Sequence, residues 1–137
     1  MGEIRVKVLL TNATDAALHQ QKKLAKQKIR TYEADALVDA GAVRSVIPSH
    51  VLAKLGVGLR GTRVAQYADG RSEEVGVTQG IIFEVLGRDT LEEALVLGDE
   101  VLLGQTFLES TDLMADCTNK RLMPNPAHPD QPILKVK

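Results

Sequence analysis

The chain opens on a strict alternation, Ile4, Arg5, Val6, Lys7, Val8, with apolar side chains on one face and basic ones on the other. That period predicts a half-buried strand starting near Glu3. Asn12 or Thr14 can cap a helix. Ala17, Leu18, Leu24, Ala25 and Ile29 then recur at helical intervals and predict that helix over residues 14–29. A second alternation puts Tyr32, Ala34, Ala36 and Val38 on one face and ends at Asp39, where Ala40-Gly41-Ala42 predicts a tight turn. Val43 to Ile47 reads as a short strand. Pro48 or Ser49 then opens a helix of about two turns that carries Val51, Leu52 and Leu55 and is closed by Gly56.

Residues 63–77 contain Asp69-Gly70 between two strand-like runs. This dipeptide is a strong hairpin signal because both positions tolerate positive φ, so the hairpin tip is expected at 69 and 70. Ile81 to Val85, a turn at Gly87-Arg88-Asp89, and Ala94 to Leu97 predict two more strands. Val101-Leu102-Leu103 meets Gly104, after which Thr106 and Glu109, at capping-box spacing, predict a helix from Gln105 to Leu113. Pro124, Pro126, Pro129 and Pro132 mark a loop, and Ile133, Leu134 and Val136 offer a last apolar strand with no evident partner in the chain.

At 137 residues the chain fits a single domain, 1–137, and its 44% hydrophobic and 26% charged residues match ordinary globular usage. Aromatic residues are only 3%, so the core is expected from Val, Leu, Ile and Ala, and recognition of stacked bases is disfavoured. Seventeen Lys and Arg against 18 Asp and Glu give a formal net charge of −1, so no chain-wide field draws nucleic acid or membrane. A single Cys cannot form an internal disulfide, the N-terminus shows no signal-peptide stretch, and no apolar run approaches the roughly 20 residues of a membrane span. The expectation is a cytoplasmic protein with no membrane or nucleic-acid partner.

The segment Ala36-Leu37-Val38-Asp39-Ala40-Gly41-Ala42 places a carboxylate at the end of an apolar strand beside a glycine turn, where it is partly desolvated. Two such carboxylates at hydrogen-bonding distance share a proton, leaving one as base and one as acid. Leu37 to Ala42 resembles the hydrophobic-hydrophobic-Asp-Thr-Gly-Ala signature of retropepsin-like (retroviral-type, clan AA) aspartic proteases, with Ala40 where the family usually has Thr. Val101-Leu102-Leu103-Gly104 is similar to the family's second motif, and Tyr67-Ala68-Asp69-Gly70 falls where its flap tip would lie. The resemblance spans residues 31–126 and is nearest to the small bacterial, particularly cyanobacterial, members.

The resemblance implies a mainly-β, retropepsin-like acid protease fold with short helices and one active-site half per chain. Residues 13–30 would be a helical insertion, 63–77 a flap hairpin, and 124–137 a tail with a dimerisation strand. It implies Asp39 as the catalytic aspartate, with Ala40, Gly41, Ala42 and Gly104 shaping its loop. Tyr67, Ala68, Asp69, Gly70 and Arg71 would close over a peptide or protein substrate. Only one Asp-x-Gly-Ala segment occurs and the mechanism needs two carboxylates, so the active species would be a homodimer joined through Ala40, Ile133, Leu134 and Val136. No metal or cofactor is required. Ala40 lacks the hydroxyl that in the family bonds across the dimer axis, so the alternative is a catalytically inactive peptide-binding or dimerisation module on the same fold. Val43-Arg44 also replaces the acidic residues that viral members carry after the motif.

Other features have plainer readings. Lys22, Lys23, Lys26, Lys28 and Arg30 form a basic run that reads as a solvated helix face, the alternative being a contact with an anionic partner. His19, His50 and His128 lack metal-ligand spacing and read as surface histidines. Cys117 reads as a small buried hydrophobe.

Overall fold

The computed structural model of the chain describes residues 3–136. β1 (Arg5–Asn12) pairs antiparallel with β2 (Thr31–Val38), Arg5 opposite Leu37 and Thr11 opposite Thr31. The opening alternation carries on past Val8, so that Val8, Leu10 and Asn12 are buried on one face while Ala34 and Ala36 of β2 join them. The other strands of this sheet are β3 (Val46–Ile47), β4 (Leu59–Gln66), β5 (Ser72–Thr78), β6 (Ile81–Val85), β7 (Arg88–Glu92), β8 (Leu95–Val96) and β9 (Leu102–Leu103). The spatial order is β4-β5-β8-β3-β9-β2-β1-β6-β7. A separate hairpin joins β10 (Leu113–Asp116) to β11 (Arg121–Pro124), and the helices are α1 (Ala13–Gln20), α2 (Ser49–Leu55) and α3 (Gln105–Thr111).

α2 seals one side of the core with Val51 and Leu55, and ends where Gly56 turns left-handed at φ 63°. α3 seals another with Phe107. Aliphatic side chains make most of the interior, as composition requires, yet both phenylalanines lie at its centre. Phe83 of β6 and Phe107 of α3 are fully buried, with ring centroids 6.2 Å apart and planes tilted by 55°. Each contributes roughly 1.5–3 kcal/mol of burial, and together they fix α3 against the sheet.

Several expectations fail for identifiable reasons. The helix expected over 14–29 stops at Gln20, although Asn12 does cap it by accepting the Asp15 N–H. Lys22 turns left-handed at φ 61° and donates to His19, while Lys23 donates to Leu18. Further helix would have stacked Lys22 over Lys26, a like-charge pair one turn apart. The basic run is therefore a turn and a single 3-10 turn at Lys26–Lys28, not a helix face. Its last member, Arg30, is structural: it makes a bidentate pair with buried Asp15 at 2.8 and 3.0 Å, which holds that carboxyl below its usual range.

Between Gly80 and Leu97 three strands form rather than two, because the turn is Leu86-Gly87 with both residues at positive φ, and Arg88 already belongs to β7. A leucine in that position conceals the turn. The capping box does not form. Gly104 is the N-cap of α3 with no side-chain bond, Thr106 turns to Glu92, and Asp112 at φ 56° ends the helix before Leu113. Cys117 is exposed in the β10–β11 turn instead of buried.

The expected terminal strand does not form in the single chain: Ile133, Leu134 and Val136 run as irregular backbone, 42%, 62% and 96% exposed. The tail before them is clasped. Buried Arg88 donates to the carbonyls of Thr111, Asp112 and His128, at the negative end of α3. The Asp112 carboxylate accepts from Asn125, Ile133 N–H and the His128 ring, so His128 is half-buried and engaged, unlike exposed His50. Those bonds, Asn125 foremost and then Ile133, hold the Asp112 carboxyl down at about 2. A depressed carboxyl stabilises the fold above its ordinary value of 3.8 and loses that contribution as pH falls through about 2. Asp112→Asn should therefore lower the melting temperature at neutral pH and flatten its fall between those two values. An unchanged acid limb in thermal scans would contradict the assignment.

Candidate active site

Asp39 follows the last residue of β2, and three neighbouring segments determine where it sits. β9 runs parallel to β2, with Leu37 opposite Leu102 and Val38 opposite Leu103, while its other edge meets β3 antiparallel at Val46. The chain thus leaves β2, loops through residues 39–45 and returns as β3 with β9 threaded between. The Asp39 N–H donates to Leu103 at 2.9 Å, which carries the ladder one residue past the strand. The loop then closes on itself: Gly41 N–H donates to Asp39 Oδ1 at 3.1 Å, and Ala42 N–H to the Asp39 carbonyl at 3.1 Å.

The floor of the loop is built by α3. Gln105 N–H donates to Ala42 and Thr106 N–H to Val43, so the unsatisfied donors of the first helical turn are spent on the loop. Gly104 lies between them, its N–H on the Ser45 hydroxyl at 3.2 Å. A Cβ on Gly104 would stand 2.7 Å from the carbonyl carbon and oxygen of Arg44 and 2.9 Å from the Ala42 carbonyl oxygen. Only glycine fits, which explains physically why an apolar pair followed by Gly answers the Asp39 segment from 65 residues downstream. At Gly41 the nearest atom to an added Cβ is Asp39 Oδ1, at 3.3 Å.

Asp39 is half-buried in the single chain, Ala40 and Gly41 are exposed, and Ala42 is half-buried. The sequence-predicted loop residues Asp39, Ala40, Gly41, Ala42 and Gly104 therefore do converge. Ser45, Thr106 and Glu92 join them although sequence reasoning misses all three as site residues and assigns Thr106 to helix capping. No local pattern marks them, since Ser45 reaches Gly104 only through the β3–β9 crossing and Glu92 reaches Thr106 only where β7 packs on α3.

The β4–β5 hairpin forms the edge of the sheet, and β4 is solvent-exposed along nearly its whole length. Its tip differs from a two-residue Asp-Gly turn. Gly70 N–H donates to Tyr67 and Tyr67 N–H to Arg71, with Gly70 alone at positive φ, which is a three-residue loop closed by a glycine bulge. The tip is tied to itself: Arg71 bonds Asp69 at 2.7 Å and lies 5.1 Å over the Tyr67 ring, and the Tyr67 hydroxyl bonds Glu73. Glu73 pushes the Tyr67 hydroxyl up, and Arg71 pulls the Asp69 carboxyl down. Ile133, Leu134 and Val136 lie beyond the far end of α3, where Ile133 N–H donates to Asp112.

Among the described residues, no group of three or more His, Cys, Asp or Glu side chains converges to hold a metal ion, and no helix is long and apolar enough to cross a membrane. No family model and no curated protein matches the sequence. Among solved structures the chain is similar to EIAV protease complexed with the inhibitor HBY-793, at TM-score 0.56 and 20% identity over 79% of this chain and 86% of that one. It is also similar to the retroviral protease-like domain of Ddi1 from Leishmania major, at TM-score 0.56 and 18% identity over 92% of this chain and 90% of that domain. The architecture is accordingly a mainly-β, retropepsin-like fold with three short helices.

Proposed function

We propose that this chain is an aspartic endopeptidase that works as a homodimer, each copy contributing one Asp39. The observation that carries the reading is the Asp39 loop itself: a carboxylate at a strand end, fixed by β9 and by the glycine contact at Gly104. The fold shared with EIAV protease and the Ddi1 protease-like domain supports it. The single chain offers one such carboxylate, and half-exposed acids on a symmetric pair can meet across a two-fold axis.

In the dimer the two Asp39 groups hold one proton between them and bind a water. The ionised group takes a proton from that water as its oxygen attacks the scissile carbonyl carbon. The protonated group delivers its proton to the carbonyl oxygen, giving a tetrahedral diol. The first group then protonates the amine nitrogen, the C–N bond breaks, and a diol proton returns to the second group. The β4–β5 hairpin serves as a flap, with Tyr67, Ala68, Asp69, Gly70 and Arg71 over an extended peptide. Ile133, Leu134 and Val136, exposed in the single chain, supply a dimer contact of the kind an unpartnered apolar segment seeks.

Ala40 favours a weak dimer, since it presents a methyl group where a hydroxyl would bond across the axis. Peptide cleavage should therefore rise faster than linearly with chain concentration. Ala40→Thr should tighten the dimer roughly tenfold or more, two hydrogen bonds contributing about 1 kcal/mol each. Sedimentation equilibrium alongside a peptide assay tests both. Linear activity at all concentrations would overturn the weak dimer, and a dimer present with no cleavage would leave the binding-module reading in possession.

A further inference from the structure

A polar cluster lies beneath the Asp39 loop. Glu92, the last residue of β7, is half-buried; Thr106 Oγ1 donates to its Oε2 at 3.5 Å, and its Oε1 is sealed from solvent without a partner among the described residues. Ser45 stands beside it and accepts the Gly104 N–H. Glu92 thus touches the two residues through which α3 and β3 grip the loop: Thr106, whose N–H holds Val43, and Ser45, whose hydroxyl holds Gly104.

The charged groups around it supply no dedicated counter-ion among the described residues. Arg44 and Arg60 both pair with neighbouring Glu93, and Arg44 reaches Glu92 only as a weaker pull than burial. Burial pushes the Glu92 carboxyl up, against bonds from Ser45 and Thr106. An unpartnered buried oxygen is tolerated on a neutral acid and costly on a carboxylate, where half the charge resides on it.

Resting on the protease reading, we infer that Glu92 in its neutral form is a positioning residue, bracing Ser45 and Thr106 so that its ionisation loosens the Asp39 loop. Ionisation draws solvent or a cation toward Oε1 and pulls the Ser45 and Thr106 hydroxyls toward the carboxylate, which shifts the Ser45 hydroxyl that holds Gly104 and the Thr106 backbone N–H that holds Val43. The consequence at Asp39 is misalignment, and displacements of about 1 Å at a reacting group cost on the order of 100-fold in rate.

Peptide-cleavage profiles against pH, run on the full chain, test this together with carboxyl and amide NMR. Glu92→Ala should lower kcat about tenfold with KM little changed, and Glu92→Gln, a neutral isostere, should restore kcat and move the alkaline limb up by about one pH unit. In the unsubstituted chain the amide signals of Gly41, Ala42 and Gly104 should shift with the midpoint of the Glu92 carboxyl signal, and in Glu92→Gln that shift should vanish. Superimposable alkaline limbs, or loop amides indifferent to the Glu92 titration, would overturn the inference. If neither protein cuts peptides, the protease reading fails by itself, and the amide titration still decides the role of Glu92.

Discussion

Asp39→Asn is expected to abolish peptide cleavage, by at least about 1,000-fold in kcat, while the melting temperature changes little. The size follows from the proposed mechanism, in which each Asp39 serves as proton acceptor in one step and donor in another, and an amide at the same place does neither. The fold is spared because the loop is held by main-chain bonds, from Asp39 N–H to Leu103 and from Gln105 to Ala42, none of which needs the carboxylate. The one bond at risk is Gly41 N–H to Asp39 Oδ1, and the asparagine carbonyl can accept it. Mixing Asp39→Asn chains with unsubstituted ones should also poison activity, because each mixed dimer carries one acid. Cleavage that survives in the purified variant, measured by peptide assay with mass-spectrometric products, would sink the proposed function.

Gly104→Ala produces the second large effect, on stability as well as activity. Its new methyl would meet three backbone atoms at 2.7–2.9 Å, well inside ordinary contact, and none belongs to a flexible side chain that can step aside. Either the Asp39 loop or the start of α3 has to shift, breaking the Gln105–Ala42 and Thr106–Val43 bonds. A cost of about 3 kcal/mol is expected from such overpacking, which corresponds to a fall on the order of 10 °C in melting temperature. Calorimetry reads the first number and the peptide assay the loss of activity. Gly61→Ala makes a suitable comparison for the melting temperature alone, since nothing lies within 4 Å of its added carbon.

The parts of this molecule that local pattern encodes are legible in the sequence. β1 and β2 follow from two-residue alternation, α2 from its proline start and left-handed Gly56, and the Asp39 loop from an apolar strand broken by glycine. The features that escape it are non-local or hidden by an atypical residue. Nothing near Thr106 says that its hydroxyl serves Glu92 rather than the helix end, because the two meet only once β7 packs on α3. Leu86 at positive φ disguises a tight turn, and with it β7. The apolar spacing through Leu24 and Ile29 looks helical, but the lysines between them prefer solvent and the chain turns at Lys22 instead. The strand expected over Ile133 to Val136 depends on a pairing edge that local pattern does not specify, and in the single chain that segment stays irregular.

The edge hairpin has one further implication for motion. Because Arg71, Tyr67, Asp69 and Glu73 lash its end together, the outer half behaves as a stiff paddle that does not curl. Compliance gathers at the root, where the ladder slips register between Leu59 and Gly61. If the hairpin is the proposed flap, its opening and shutting amount to a swing about that pivot, and a residue that stiffens the pivot is expected to slow entry of the peptide without touching it.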